Sequence, residues 1–302
     1  MSTSLADTSA GEINKALITA RRAQGGPTAG HVMTLIVAAE GMGSGPAVHA
    51  TCRTAAEHPS RILVVRRHPG EPSTQLDAEV FGSGERGPGE MVILDLAGDL
   101  AGHAESVVLP LLIPDTPVVT FWPAAGPADP SADALGRLSQ RRITDLAAAP
   151  DALGQLQARA GHYRDGDTDL AWTRLTLWRS VLATALDGQD ARPTAGAVAA
   201  EPGNASAELL ALWLARRLRI PVQRTESNGP GLTEVRLSFD AGEVALRRAD
   251  GRLAMLSSPG HDERPIALKR RELSELMNEE LRRLDADDIY AECLATLRES
   301  TG

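Results

Sequence analysis

Between Gly166 and Leu186 the sequence places apolar residues on two nearly opposite sides of one helix, and few architectures accommodate that. At about 100° per residue, Ala171, Leu175, Trp178, Leu182 and Leu186 share one face, while Leu170, Leu177 and Val181 form a second strip. A helix apolar on two sides is buried on two sides. The pattern predicts an interdomain helix, with an N-terminal domain over 1–165 and a C-terminal domain over 166–302 that opens with it. Thr168 is the expected N-cap, since its hydroxyl can accept from a free first-turn N–H. Asp167 and Asp169 place negative charge at the positive end of the helix dipole.

On one shoulder of this helix lie Trp172, Thr176 and Arg179. Two readings stand. Trp172 packs inside and Arg179 pairs with a carboxylate, or the shoulder contacts another protein, where Trp and Arg are enriched at energetic hot spots.

The half before the helix alternates strands and helices. Strands are expected at Val32–Ala39, Arg61–Arg67, Leu76–Phe81, Met91–Leu96 and Pro117–Trp122. Helices are expected at Ile13–Gln24, Ala47–Glu57, Asp99–Leu112, Ser131–Leu138 and Ala148–Ala160. This order predicts an α/β domain, an open mostly parallel sheet with helices on its faces. The second half reads as α+β: a strand at Thr194–Ala200, a helix capped by Ser206, then short strands and the hairpin signals Asp240-Ala241-Gly242-Glu243 and Asp250-Gly251. Its sheet is expected to be mostly antiparallel. A last helix runs from Glu272 to Leu284 and resumes near Ile289.

Composition narrows the function classes. The formal net charge of -9 argues against a general nucleic-acid binder, which shows a basic face. Lysine occurs only at Lys15 and Lys269, so arginine carries the positive charge throughout and its abundance alone says nothing about phosphate binding. Cys52 and Cys293 form no disulfide framework and are expected to be reduced. No apolar run reaches the roughly 18 residues of a membrane span, and no secretory leader is evident. A cytoplasmic protein is the expectation.

Catalytic motifs are missing where they would be looked for. There is no G-x-S-x-G, no Walker loop and no H-E-x-x-H, and the seven histidines show no zinc spacing. The Gly41-Met42-Gly43-Ser44-Gly45-Pro46 loop sits between a strand and a helix as a dinucleotide loop would, but Pro46 occupies the third glycine position, so a plain turn is expected. No catalytic residue, cofactor or metal ligand is assigned. One anion site remains conceivable, at the strand ends, where Asp115, Trp122, Arg141, Arg142 and Asp145 would gather.

Three blocks in order, Leu109–Pro123, Gln140–Asp145 and Asp167–Arg179, together with Arg270–Leu294, resemble the OpcA family of glucose-6-phosphate dehydrogenase assembly proteins of actinobacteria and cyanobacteria. The resemblance extends from about Leu35 to Leu294. It implies a non-enzymatic assembly factor and allosteric activator of glucose-6-phosphate dehydrogenase, in the oxidative pentose phosphate pathway, with that enzyme as protein partner. Within the shared blocks, Trp122, Arg141, Arg142, Trp172, Arg174 and Arg179 are the expected partner-binding residues. The alternative is a sugar-phosphate-binding enzyme or sensor with its anion site near Trp122 and Arg142.

Overall fold

The computed structural model describes residues 2–23, 30–40, 45–82, 89–124, 126–248 and 250–301. The chain divides into two compact units, one of 1–145, 166–168 and 273–286, the other of 146–165, 169–272 and 287–302.

The first unit is built on strands β1 (Thr3–Leu5), β2 (Met33–Glu40), β3 (Ser60–His68), β4 (Gln75–Phe81), β5 (Glu90–Ala97), β6 (Val118–Trp122), β7 (Arg141–Thr144) and β8 (Asp167–Asp169). They lie in the order β1-β4-β5-β3-β2-β6-β7-β8. The run β5-β3-β2-β6-β7 is parallel, and β1 and β4 add an antiparallel edge. Helices α1 (Ala10–Ala23), α2 (Gly45–Thr54), α3 (Ala104–Val108) and, from the C-terminal part of the chain, α8 (Leu273–Arg282) complete it. The expected mostly parallel α/β sheet is therefore present. Its central strands are continuous aliphatic runs, as strands covered on both faces require: Leu35 to Ala39 and Ile62 to Val65 are all buried. Ile13 and Leu17, one helical turn apart on α1, join Ile36, Leu63, Val92 and Leu94 in one core.

Two expected helices of this unit dissolve into tighter turns. Asp99–Leu112 is a 3₁₀ turn over Gly98–His103, the short α3, and a second 3₁₀ turn at Leu109–Leu111. Gly98 has φ +59°, and Pro110 has no N–H to carry a helix onward. Ser131–Leu138 holds only a 3₁₀ turn at Gly136–Leu138. Strand β7 was not foreseen. Arg141-Arg142-Ile143-Thr144 alternates no polarity, yet all four residues are buried.

The second unit carries β9 (Ala195–Ala200), β10 (Val222–Glu226), β11 (Leu232–Phe239), β12 (Gly242–Arg247), β13 (Leu253–Ser258) and β14 (His261–Ala267), in the order β10-β9-β11-β12-β13-β14. All pairs are antiparallel except β9 with β10, which α7 (Ala205–Leu218) connects as a crossover. The α+β expectation holds, with both hairpins in place. Asn204, not Ser206, caps α7: its Oδ1 accepts the Ala207 N–H at 2.9 Å. Further helices are α4 (Ala152–His162), α5 (Leu170–Thr173), α6 (Thr176–Asp187) and α9 (Asp288–Thr301). Trp172, Leu175, Trp178, Leu182, Leu210, Leu214, Val235, Leu246 and Leu294 belong to one buried cluster.

The helix expected as one rod is interrupted. Residues 166–168 belong to the first unit, and the helical part, α5 and α6, belongs to the second. Between α5 and α6 the Leu175 N–H bonds Trp172 O, a three-residue closure that tightens the turn. The first apolar face is buried through Leu182, with Ala185 taking over from the half-buried Leu186. Of the second strip, Leu170 is fully buried while Leu177 and Val181 are half-buried against the same cluster. The cap is Asp169, not Thr168.

Candidate functional site

Asp169 organises the start of α5. Its Oδ1 accepts the Ala171 N–H at 2.8 Å and the Leu146 N–H at 3.2 Å, and its Oδ2 receives Arg159 Nη1 at 2.9 Å. A carboxylate buried to 0% exposure is tolerable only because these donors replace water. With that start secured, Trp172 points inward. Its Nε1 donates to Asp287 Oδ2 at 2.8 Å, and Asp287 Oδ1 accepts the N–H groups of Ile289 and Tyr290 at the start of α9. The Tyr290 ring stands 5.8 Å from the Trp172 ring and 6.1 Å from that of Tyr163. The predicted shoulder does assemble: Arg179 covers the Trp172 ring and its Nη2 donates to Thr176 Oγ1 at 3.4 Å.

The remaining expected residues lie elsewhere. Arg141 and Arg142 pair in register with Val119 and Thr120, two or more residues before Trp122, which pairs with Thr144. Asp115 precedes β6 altogether. The anion site expected near Trp122 and Arg142 is thus not gathered at the carboxyl ends of the strands. Each arginine is instead consumed internally. Arg141 donates to Glu280 Oε2 at 2.5 Å and to Asp285 O at 2.8 Å, and Arg142 to Asp167 Oδ1 at 2.5 Å and Ser139 O at 2.8 Å. Trp122 is 4% exposed, over Gly126 and Gly136, where any added Cβ would meet it at 3.0–3.3 Å. Trp122, Arg141, Arg142 and Trp172 are therefore buried, and Arg174 and Arg179 keep partial exposure.

Arg174 leads to a cavity that the sequence did not announce. It lies wholly within the second unit, has a volume of about 480 Å³, and is walled by α5, α6, the turn before α7 and the segment after β14. Five cationic side chains line it: Arg174, Arg248, Lys269, Arg270 and Arg271. Two carboxylates do, and both serve helix starts: Asp151 caps α4 through the Gly154 N–H at 3.0 Å, and Glu201 receives Asn204 Nδ2 at 3.2 Å. Leu175, Leu177 and Trp178 supply an apolar wall.

Arg248 is 8% exposed. Its Nη1 and Nη2 donate to the carbonyls of Leu268 and Leu232, its Cζ lies 5.0 Å over the Trp178 ring, and its Nε has no acceptor. Burial, then the charge of Arg270, pull its pKa down to about 10. The Lys269-Arg270-Arg271 run was the one visible signal for this cavity; Arg248 follows an ordinary strand and carried none. The Gly41–Ser44 part of the glycine loop lies outside the described residues. Among the described residues, no group of three or more His, Cys, Asp or Glu is placed to hold a metal ion, and no helix is long and apolar enough to cross a membrane.

Two family models match the chain. Residues 51–161 match the OpcA glucose-6-phosphate dehydrogenase subunit N-terminal domain, and residues 165–294 match the C-terminal domain of the same subunit. No curated protein sequence matches. Among solved structures, a mutant of KijD10, a 3-ketoreductase from Actinomadura kijaniata with TDP-benzene and NADP, aligns at a TM-score of 0.49 and 10% identity, over 89% of this chain and 95% of that one. A dehydrogenase (MviM) from Clostridium difficile aligns at 0.46 and 8%, over 89% and 97%. Likenesses this distant carry no argument about activity.

Proposed function

The chain belongs to the OpcA family of glucose-6-phosphate dehydrogenase subunits, and from that membership we propose that it is a non-enzymatic, cytoplasmic assembly factor that also raises the activity of the dehydrogenase it assembles. The observation that carries this reading is that both family domains are matched, in order, over most of the chain. An activator shifts its partner only by binding the active form better than the inactive one. Coupling of about 1–3 kcal/mol between its docking site and the substrate site suffices.

The burial pattern divides the six residues of the shared blocks. Arg174 and Arg179, half-exposed on α5–α6, are the ones that reach a partner directly. Trp172 supports Arg179 from beneath, while Trp122, Arg141 and Arg142 hold the sheet.

The test is to mix the protein with the dehydrogenase of the same organism and follow particle mass and initial rate together. Co-migration with a raised rate at saturating or limiting substrate supports the proposal. Co-migration with unchanged kinetics reduces the protein to a scaffold, and two separate particles with an unchanged rate defeat the reading.

A further inference from the structure

We propose that the second-unit cavity is a binding site for a small phosphorylated metabolite. The inference does not rest on the partner reading; it comes from three features that converge on one cavity.

The first is a buried cation with no ion pair among the described residues, on which the charge of Asp250 acts only from beyond salt-bridge distance. Arg248 is held inside, and no carboxylate stands within salt-bridge distance of it among the described residues. Two backbone carbonyls satisfy part of its fork but carry no net charge. A guanidinium taken out of water without an anion is costly, and proteins rarely leave one so. The second is Arg270, an exposed side chain on the same wall, likewise without an ion pair among the described residues, whose charge opposes that of Arg248. Two like charges brought together around a cavity, where the lining carboxylates Asp151 and Glu201 are bonded to the Gly154 N–H and the Asn204 amide rather than to either arginine, mark a place for an anion. The third is the start of α7. Ala205 and Ser206 line the cavity, and as the first two residues of a 14-residue helix their N–H groups have no partner within it. The side chain of Asn204 caps Ala207 rather than either of them. Gly203, at φ +71°, turns the chain into that start. Helix N-termini are natural phosphate sites.

Size and walls set the rest of the ligand. A cavity of about 480 Å³ falls within the range of small-molecule sites. The cationic side takes the phosphate, and Leu175, Leu177 and the Trp178 face take the less polar body. Inorganic phosphate alone leaves that wall uncovered, so a phosphate ester binds more tightly than phosphate.

Calorimetric titration of the full chain tests this, with inorganic phosphate, pyrophosphate, glucose 6-phosphate and ATP as probes. Saturable one-to-one binding of at least one ester or anhydride is expected, tighter than for phosphate. In Arg270→Ala, an exposed position, the melt stays that of the wild type and affinity falls at least about tenfold, the loss of one charge-assisted contact. Absence of binding by all four probes at about 10 mM overturns the proposal. So does binding whose affinity Arg270→Ala leaves unchanged, because the anion then sits somewhere else.

Discussion

The guanidinium of Arg179 lies over the indole of Trp172, its Cζ 3.7 Å from the ring centroid. Seven positions apart, the two residues are two helical turns from each other, and the tightened turn between α5 and α6 leaves them stacked. The pair joins an inner and an outer layer. Trp172 is 1% exposed and tied to Asp287 at the start of α9, and Arg179 is what the solvent meets above it.

This layering separates two substitutions. Trp172→Ala removes a fully buried ring and costs about 3–5 kcal/mol, read as a lowered melting temperature. Arg179→Ala removes a stacked cation worth about 0.5–2 kcal/mol and leaves the fold intact. In the assembly assay Arg179→Ala weakens activation more than its small change in melting explains. Activation that tracks stability in both variants would assign Arg179 a structural role alone.

Arg141 and Glu280 form an ion pair in which both side chains are nearly inaccessible, 4% and 8% exposed. Glu280→Ala leaves the arginine charged and buried, which costs about 3–5 kcal/mol. Chemical denaturation should show the loss as a lower midpoint. A midpoint within experimental scatter of the wild type would mean that water reaches Arg141 and takes the place of the carboxylate.

Glu90 sits directly across from Arg61 in the parallel register of β3 and β5, with Arg61 Nη2 at 3.0 Å and Arg21 bonded to its other oxygen. Burial pushes its pKa up, but the bond from Arg21 and the charges of Arg61 and Arg21 outweigh it and hold the carboxyl below its ordinary value. A lowered pKa contributes stability that is present above the unfolded value of about 4.3 and is lost as the pH falls through the folded value. The wild type should therefore lose melting temperature steeply below about pH 4.3. Glu90→Gln should be less stable at neutral pH and flatter in acid. Parallel profiles for the two proteins would count against this network as the acid-sensitive element.

Cys293 on α9 is 1% exposed, and burial, with lesser effects of nearby charges, pushes its thiol pKa up to about 12. Thiolates rather than thiols react. A thiol reagent should leave Cys293 untouched in the native protein and label it on unfolding, with the half-buried Cys52 the faster of the two. Rapid native labelling of Cys293 would reveal opening of α9.

What could be read in advance follows the range of the forces involved. The parallel strands were legible because Leu35–Ala39 and Ile62–Val65 are unbroken aliphatic runs, a local signature of a strand covered on both faces. Turn glycines located the hairpins for the same reason. The shoulder of Trp172, Thr176 and Arg179 was legible from helical spacing, although its cap was misplaced by one residue. Strand β7 was hidden because its arginines look solvated in sequence. The carboxylates of Glu280, 139 positions away, and of Asp167, with the carbonyls of Asp285 and Ser139, make their burial tolerable.

The sequence by itself determined the two kinds of sheet, the family and the positions of the helix that carries Trp172, since periodicity, turn chemistry and ordered blocks are all short-range patterns. The tertiary structure alone decided which arginines are spent. Arg141 and Arg142 meet carboxylates inside the first unit, whereas Arg248 and Arg270 are brought to one cavity with no ion pair of their own among the described residues. Charges interact through space and not along the chain, so residues of one type acquire opposite roles only when folding chooses their neighbours.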